Sequence, residues 1–307
     1  MTDDETGGLA RVRPWRLVVS LAKSGAWNMA CDEALGEAVR SGKSLPVVRF
    51  FAWTPPTISF GYSQHVAREV DVDAARREGI GLVRRITGGR AVLHAEEITY
   101  SVICSERDPV AEGGIIATYT RISEGLANGL RRLGVNAELA RSAEALSGPH
   151  LDRATLPCFG STSRSEIVVG GRKIVGSAQH RMRRLVLQHG SILLGPAHQD
   201  LVRYLRVDEA LRHRYLQRMA LSTTSLTQLG WVGSRDEVIA ALAGGLSEVL
   251  GLTWINTPCG DGGGVGSPFY QDEEREINRL AREKYGTDSW NLRTGCAREV
   301  RDGSSAR

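Results

Sequence analysis

Residues 165–179 read SEIVVGGRKIVGSAQ, and this stretch decides how the surrounding chain folds. Two runs rich in β-branched residues flank Gly170 and Gly171, which is the pattern of a β-hairpin with a tight primed turn. Residues 185–194, LVLQHGSILL, predict a third strand that follows the hairpin. The sequence therefore predicts that Lys173 lies near the start of the returning strand, where a hairpin can hold a side chain firmly.

Cys158 and Lys173, fifteen residues apart, are the candidate catalytic pair. Lys173 is one of only four lysines among 39 basic residues, although the adjacent Arg172 would serve any simple need for charge. A compact ammonium beside a thiol stabilises the thiolate and makes the sulfur a nucleophile near neutral pH. The residues alone leave open the alternative that Cys158 is a buried structural cysteine and Lys173 a surface charge.

The composition is typical of a globular protein and argues against several classes of function. The 307 residues are 41% hydrophobic and 24% charged, with a net charge of +4, which is too small to imply nucleic-acid binding. No apolar run reaches the roughly 18 residues of a membrane span, and the polar N-terminus is unlike a secretory signal, so we expect a cytoplasmic protein. Five scattered cysteines, without a C-x-x-C or H-E-x-x-H motif, predict no disulfide framework, no metal site and no cofactor.

Residues 84–94, RRITGGRAVLH, form a second glycine-rich element. Consecutive glycines after a strand allow positive φ angles and a close approach of backbone amides to a ligand. Three arginines, Arg84, Arg85 and Arg90, could bind an anionic group, and His94 could orient a carbonyl. The residues alone equally allow a plain hairpin with a structural histidine.

We predict a single domain, residues 14–291 with a core at about 41–256, between polar tails at 1–13 and 292–307. Strands are predicted at residues 47–51, 57–60, 81–85 and 98–104, besides the hairpin and its third strand. Helices are predicted at residues 28–39, 67–78, 118–133, 201–204, 209–219, 236–250 and 273–285. A basic run at residues 180–184 is typical of a solvated face, or of a surface that meets an acidic partner protein.

Together these motifs closely resemble the biotin/lipoate ligase superfamily, and within it the cysteine-dependent octanoyltransferases of lipoate assembly. The resemblance follows the family's order over roughly residues 15–291. The matching segments are 28–35, 49–62, 84–94, 158–159, 171–179, 188–191 and 284–291. It implies an α/β (α+β) fold, a biotin/lipoate ligase-like catalytic domain. Larger and smaller mixed β-sheets with flanking helices would then enclose an acyl tunnel.

The resemblance also implies roles for individual residues. Cys158 matches the acyl-carrying nucleophile, and Lys173 matches the lysine that lowers its pKa. The implied substrate-binding residues are Arg84, Arg85, Thr87, Gly88, Gly89, Arg90, His94, Ser177 and Ala178. Arg90 stands where ATP-using ligases have a third glycine, which favours the transferase branch. Ala95, in place of an Asp, and residues 161–164 depart from the family pattern.

The activity implied is transfer of an octanoyl group from octanoyl-acyl carrier protein to a lysine of a lipoyl domain, by a monomer, through a thioester on Cys158. The acceptor would be the glycine cleavage H protein or the E2 subunit of a 2-oxoacid dehydrogenase. Three alternatives remain open: an ATP-dependent lipoate–protein ligase that uses Lys173 on an adenylate, an amidotransferase that moves octanoyl between lipoyl-domain proteins, and a non-enzymatic acyl-binding regulator.

Overall fold

The computed structural model describes residues 13–140, 166–255 and 267–293. Cys158, Cys259 and Cys296 lie outside these residues. Within the described part of the chain, the strands form a sheet of eight strands and a sheet of three strands. Helices cover both faces of the larger sheet, and no described helix has the length and apolarity to cross a membrane.

The larger sheet is mixed, with the strand order β11-β1-β2-β6-β10-β9-β8-β7. Strand β1 runs parallel to both β11 and β2, and the other neighbours are antiparallel. Its strands are β1 (Arg13–Val19), β2 (Val47–Phe51), β6 (Glu97–Ser105), β7 (Glu138–Leu139), β8 (Ile167–Val169), β9 (Arg172–Met182), β10 (Leu185–Leu193) and β11 (Leu252–Ile255).

The smaller sheet has the order β4-β3-β5 and is also mixed, because β3 is parallel to β4 and antiparallel to β5. Its strands are β3 (Thr57–Phe60), β4 (Gly81–Arg84) and β5 (Val92–His94). A hydrophobic cluster joins this sheet to the short helices around it and to the 3-10 helix Ala197–Tyr204. The predicted pair of larger and smaller mixed sheets with flanking helices is confirmed.

The described helices are α1 (Gly25–Arg40), α2 (Val66–Glu69), α3 (Val72–Arg77), α4 (Gly114–Arg132), α5 (Glu209–Ser222), α6 (Arg235–Leu250), α7 (Gln271–Leu280) and α8 (Asp288–Asn291). These helices pack on both faces of the larger sheet, as the alternating side chains of β2 show. Val48 and Phe50 pack in the cluster of α4 and α6, whereas Val47 and Phe51 pack in the cluster of α1 and α7. Both faces of β2 are therefore buried, as in sheets covered on two sides.

The structure corrects the predicted helix at residues 67–78, which is two short helices. Val70 between them is buried and extended, and the Asp71 side chain accepts a hydrogen bond of 3.0 Å from Ala74 N at the start of α3. An aspartate in this position caps a new helix instead of continuing the previous one. The sequence patterns also missed β1, β5, β7 and β11. At the predicted tails, Arg13 already belongs to β1, and Arg293 stacks over Trp290 and Tyr62.

Helices α4 and α6 approach so closely that backbone meets backbone. A Cβ atom on Gly245 would lie 2.3 Å from Gly129 N and 2.5 Å from Gly125 O. At the adjacent Gly244, a Cβ atom would meet the guanidinium group of Arg132, 2.4 Å from Nη1 and 3.2 Å from Cζ, and this side chain is exposed and can move. A side chain at position 245 would therefore collide with the backbone of α4, whereas one at position 244 would only displace a movable side chain.

We expect Gly245→Ala to lower the free energy of unfolding by about 1–3 kcal/mol, because overpacking forces the two helices apart. Gly244→Ala should instead leave stability unchanged or raise it by up to about 1 kcal/mol, since alanine favours the helix over glycine. Urea denaturation of both variants measures the difference. Equal effects at the two positions would contradict the close helix packing.

Candidate active site

A cavity of about 230 Å³ lies where the two sheets face each other. The smaller sheet contributes Ser59, Val92 and His94. The larger sheet contributes Thr99, Lys173, Gly176, Ser177, Ala178, His189, Gly190 and Ser191. Met29, Trp53, Arg85 and Glu166 complete the lining. The cavity thus combines apolar walls with a few buried polar groups, which is typical of a small-molecule site.

Lys173 lies in this cavity with an exposure of only 2%, so its ammonium is almost completely removed from water. Its Nζ donates a hydrogen bond of 2.7 Å to Oε1 of Glu166, which is itself buried. Burying a charge is costly unless a partner is present, and removing one member of such a pair is strongly destabilising. The alternative that Lys173 is a surface charge is wrong.

The hairpin predicted from residues 165–179 holds Lys173 in place. Gly170 and Gly171 form its turn with φ angles of +54° and +73°, the positive values that a primed turn needs and that glycine adopts freely. Lys173 pairs with Val168 across the hairpin, and its carbonyl accepts a hydrogen bond of 2.9 Å from Thr224 N. The lysine backbone is therefore fixed on both sides.

His94 belongs to a second buried polar group in the cavity. Its Nδ1 lies 2.8 Å from Oε1 of Glu97, and its Nε2 lies 2.7 Å from Ser59 Oγ. Trp53 stacks on the imidazole at a centroid distance of 4.0 Å. Because a carboxylate only accepts hydrogen bonds, Glu97 fixes the Nδ1–H of His94 and hence the ring orientation. Ser191 Oγ donates to the same carboxylate oxygen over 2.7 Å.

His189 ends a chain of buried contacts that begins at Arg49. Arg49 Nη1 donates to Asp32 Oδ1 over 2.9 Å, and Asp32 Oδ2 lies 3.1 Å from His189 Nδ1. Burial lowers the pKa of His189, although Asp32 opposes this shift, so the imidazole is neutral at neutral pH. Its Nδ1–H then donates to Asp32, and its Nε2 accepts from Thr87 Oγ1 over 2.7 Å. Burial raises the pKa of Asp32, but the His189 hydrogen bond and the Arg49 charge outweigh this and lower it.

The arginines of the glycine-rich element hold the surrounding loops together. Every guanidinium nitrogen of Arg84 donates to a backbone carbonyl, including those of Gly61 and Trp290. Arg85 donates to Ser59 and to the carbonyls of Gly88 and Arg90. The side chain of Arg90 is paired with Glu69 at 3.2 Å.

The predicted site residues fall into three groups. Arg85, His94, Lys173, Ser177 and Ala178 line the cavity. Thr87 contacts the cavity residue His189, whereas Arg84, Gly88, Gly89 and Arg90 belong to the supporting loop. Cys158 lies outside the described residues.

Several cavity residues were not among the predicted site residues: Met29, Trp53, Ser59, Glu166, His189 and Ser191. Five of them, Met29, Trp53, Ser59, His189 and Ser191, stand in segments that carried the family resemblance, which is the signal that could have found them. Glu166 had a weaker signal, as an acidic residue next to a buried strand.

Comparison with known protein families shows which family this chain belongs to. Residues 24–247 match the model of the lipoyl protein ligase A/B catalytic domain. This chain belongs to that family. The chain is 40% identical to octanoyltransferase LipM of Symbiobacterium thermophilum, over 91% of this chain and 98% of the relative. It is 47% identical to octanoyltransferase LipM of Moorella thermoacetica, over 73% of this chain and 80% of the relative.

Solved structures of the family share the fold. A bipartite lipoate protein ligase from Thermoplasma acidophilum, solved in a study of an archaeal lipoylation system, superimposes with a TM-score of 0.74 at 25% identity, covering 94% of this chain and all of that one. A lipoate-protein ligase A bound with ATP gives a TM-score of 0.70 at 26% identity, covering 92% and 99%. The predicted relationship to lipoate ligases and octanoyltransferases is confirmed.

A third histidine, His198, lies beside the site and gives a pH prediction. It is buried with Nε2 3.0 Å from Thr223 Oγ1, and burial lowers its pKa from 6.5 to about 4. The unfolded chain takes up a proton near pH 6.5, but the folded protein takes it up only near pH 4. Folding is therefore progressively disfavoured as the pH falls through this window.

We expect His198→Gln to reduce the loss of unfolding free energy between pH 7 and pH 4 by about 3 kcal/mol. His213→Gln, the same substitution at an exposed histidine, is the matched control. Chemical denaturation at a series of pH values measures both slopes. A His198→Gln slope identical to that of the unmodified protein would contradict the buried, neutral imidazole.

Proposed function

We propose that this chain transfers an octanoyl group to a lysine of a lipoyl-domain protein. The support is twofold: relatives named octanoyltransferase match it over nearly their full length, and the chain has a partly apolar cavity with buried polar groups. Met29, Trp53 and Val92 offer apolar surface to an acyl chain.

The observation that carries this proposal is the buried ammonium of Lys173 in the cavity. The proposed nucleophile is Cys158, eight residues before Glu166, which also lines the cavity. Eight extended residues span at most about 29 Å, so the chain connection allows Cys158 to reach Lys173. A cation in a water-poor cavity stabilises an adjacent thiolate more than the same cation in water does.

In the first half-reaction, the Cys158 thiolate attacks the thioester carbonyl of octanoyl-acyl carrier protein. The new C–S bond replaces the old one, and the carrier thiol leaves. One thioester is exchanged for another, so the step needs no ATP. Lys173 keeps the attacking sulfur ionised and stabilises the negative oxygen of the tetrahedral intermediate.

In the second half-reaction, the lysine of the acceptor attacks the octanoyl thioester on Cys158. A stable amide forms and the cysteine is released, which drives the transfer forward. The acceptors we propose are the glycine cleavage H protein and the E2 subunits of 2-oxoacid dehydrogenases. Two successive half-reactions on one enzyme nucleophile give ping-pong kinetics.

A test of this function starts from octanoyl-acyl carrier protein in the absence of ATP. We expect one octanoyl adduct on Cys158 by peptide mass spectrometry, followed by transfer to a lipoyl domain. Cys158→Ala should lose the adduct and at least roughly 10⁴-fold in rate, because no other group replaces the nucleophile. Cys296→Ala is the control and should keep both. A requirement for ATP and free lipoate would establish the ligase alternative, and an octanoylated H protein as the preferred donor would establish the amidotransferase.

A second test asks whether a differently shaped cation can replace the ammonium of Lys173. We expect Lys173→Arg to lower kcat/KM by about 100-fold or more, the usual effect of removing one preorganised electrostatic stabiliser. The planar guanidinium is larger than the ammonium, so it cannot occupy the same buried position beside Glu166. The control Lys43→Arg changes an exposed lysine and should be silent. Steady-state kinetics with the acyl carrier substrate decides, and near-normal rates for Lys173→Arg would contradict the proposed role.

A further inference from the structure

The ion pair between Lys173 and Glu166 has a consequence for the second half-reaction. The two side chains are 2.7 Å apart, both are buried, and both line the cavity. A carboxylate at this position partly neutralises Lys173, and so it opposes the formation of a nearby thiolate. Acylation of a cysteine alone would favour a lysine without such a partner. The carboxylate makes the burial of the Lys173 charge tolerable, and its place in the cavity also allows it to act in a different step.

That step is the arrival of the acceptor lysine. At neutral pH this residue is an ammonium, and an ammonium has no lone pair with which to attack a thioester. It must also enter a cavity that already holds the buried charge of Lys173, and like charges in a water-poor site repel each other. A carboxylate next to Lys173 removes the repulsion and can take the proton.

Among the cavity-lining residues that the structure describes, Glu166 is the only carboxylate. The two histidines of the cavity are held at both ring nitrogens. His94 contacts Glu97 and Ser59, and His189 contacts Asp32 and Thr87. Glu166 is fixed by its backbone, since its carbonyl accepts a hydrogen bond of 2.8 Å from Ala140 N. A carboxylate can accept several hydrogen bonds, so contact with Lys173 does not exhaust its capacity.

We propose that Glu166 is the catalytic base of the second half-reaction, an inference that rests on the proposed function. The acceptor ammonium gives one proton to the Glu166 carboxylate. The freed lone pair forms the C–N bond, and the C–S bond breaks with its electrons moving to sulfur, which the Lys173 ammonium stabilises. The second proton from nitrogen neutralises the Cys158 sulfur, and Glu166 returns its proton to water. One acceptor ammonium and one thioester thus give one amide, one thiol and one proton.

The test separates the two half-reactions by preparing the octanoyl-enzyme first and adding the acceptor afterwards. With Glu166→Gln, we expect acylation by octanoyl-acyl carrier protein to keep its rate or become faster, because Lys173 is no longer neutralised. Transfer to the lipoyl-domain lysine should slow by about 100-fold or more, the usual contribution of a general base. Glu138→Gln, an exposed position on β7 of the same sheet edge, is the control and should change neither step.

Hydroxylamine identifies the cause of the slower transfer. It is uncharged near neutral pH and attacks thioesters without first losing a proton, so it should cleave the Glu166→Gln octanoyl-enzyme at the rate of the unmodified protein. Glu166→Asp keeps the carboxylate one methylene further back, and it should retain acylation with an intermediate transfer rate. This variant provides the measurement if the glutamine variant does not fold.

The possible results separate a failure of the role proposed for Glu166 from a failure of the proposed function. Equal losses in both half-reactions, a loss with hydroxylamine as large as that with the lysine acceptor, or unchanged transfer would each overturn the role of Glu166. If the unmodified protein forms no octanoyl-enzyme, the proposed function itself fails. If it does form one and Glu166→Gln transfers normally, only the role of Glu166 fails.

Discussion

The buried ion pair of Lys173 and Glu166 is the interaction on which the site depends. An ammonium at 2% exposure is stabilised by a carboxylate 2.7 Å away, and the backbone of β9 that carries it is held on both sides. The same burial strengthens the electrostatic effect of the charge, because a cation stabilises a neighbouring thiolate most where water is scarce. The fold around the pair brings two sheets together, and both members of the pair are buried between them.

Carboxylates also hold the other polar side chains of the cavity in place. Glu97 fixes the ring of His94, and Asp32, held by Arg49, fixes the ring of His189. Each imidazole is thus oriented by a carboxylate on one nitrogen and meets a hydroxyl group on the other. Such arrangements keep polar side chains at fixed positions in a cavity whose lining also includes apolar side chains.

The sequence predicted the parts of the fold that depend on local chemistry. The hairpin of β8 and β9 was predictable because two glycines between β-branched runs favour one kind of turn. The contact of Lys173 with Glu166 was not, because it depends on how β8 and β9 pair, and the shift of register between Ile167 and Val168 leaves no mark in composition. Strand β1 was missed because both of its pairings, with β2 and with the distant β11, are parallel, and parallel strands are not joined by a tight turn that a local pattern could reveal. The roles of Arg84 and Arg85 could not be predicted from the sequence either, because a guanidinium group can donate hydrogen bonds to a bound anion or to backbone carbonyls.

The central claim is that the Lys173 ammonium ionises the Cys158 thiol. The most direct measurement is the pH dependence of alkylation of Cys158 by iodoacetamide, followed at that peptide by mass spectrometry. The buried Cys31 and Cys104, whose thiol pKa values burial raises, provide unreactive internal references. The account predicts a Cys158 pKa well below the usual value of about 8.5, and a return towards that value in Lys173→Gln. An ordinary Cys158 pKa that is the same in both proteins would contradict it.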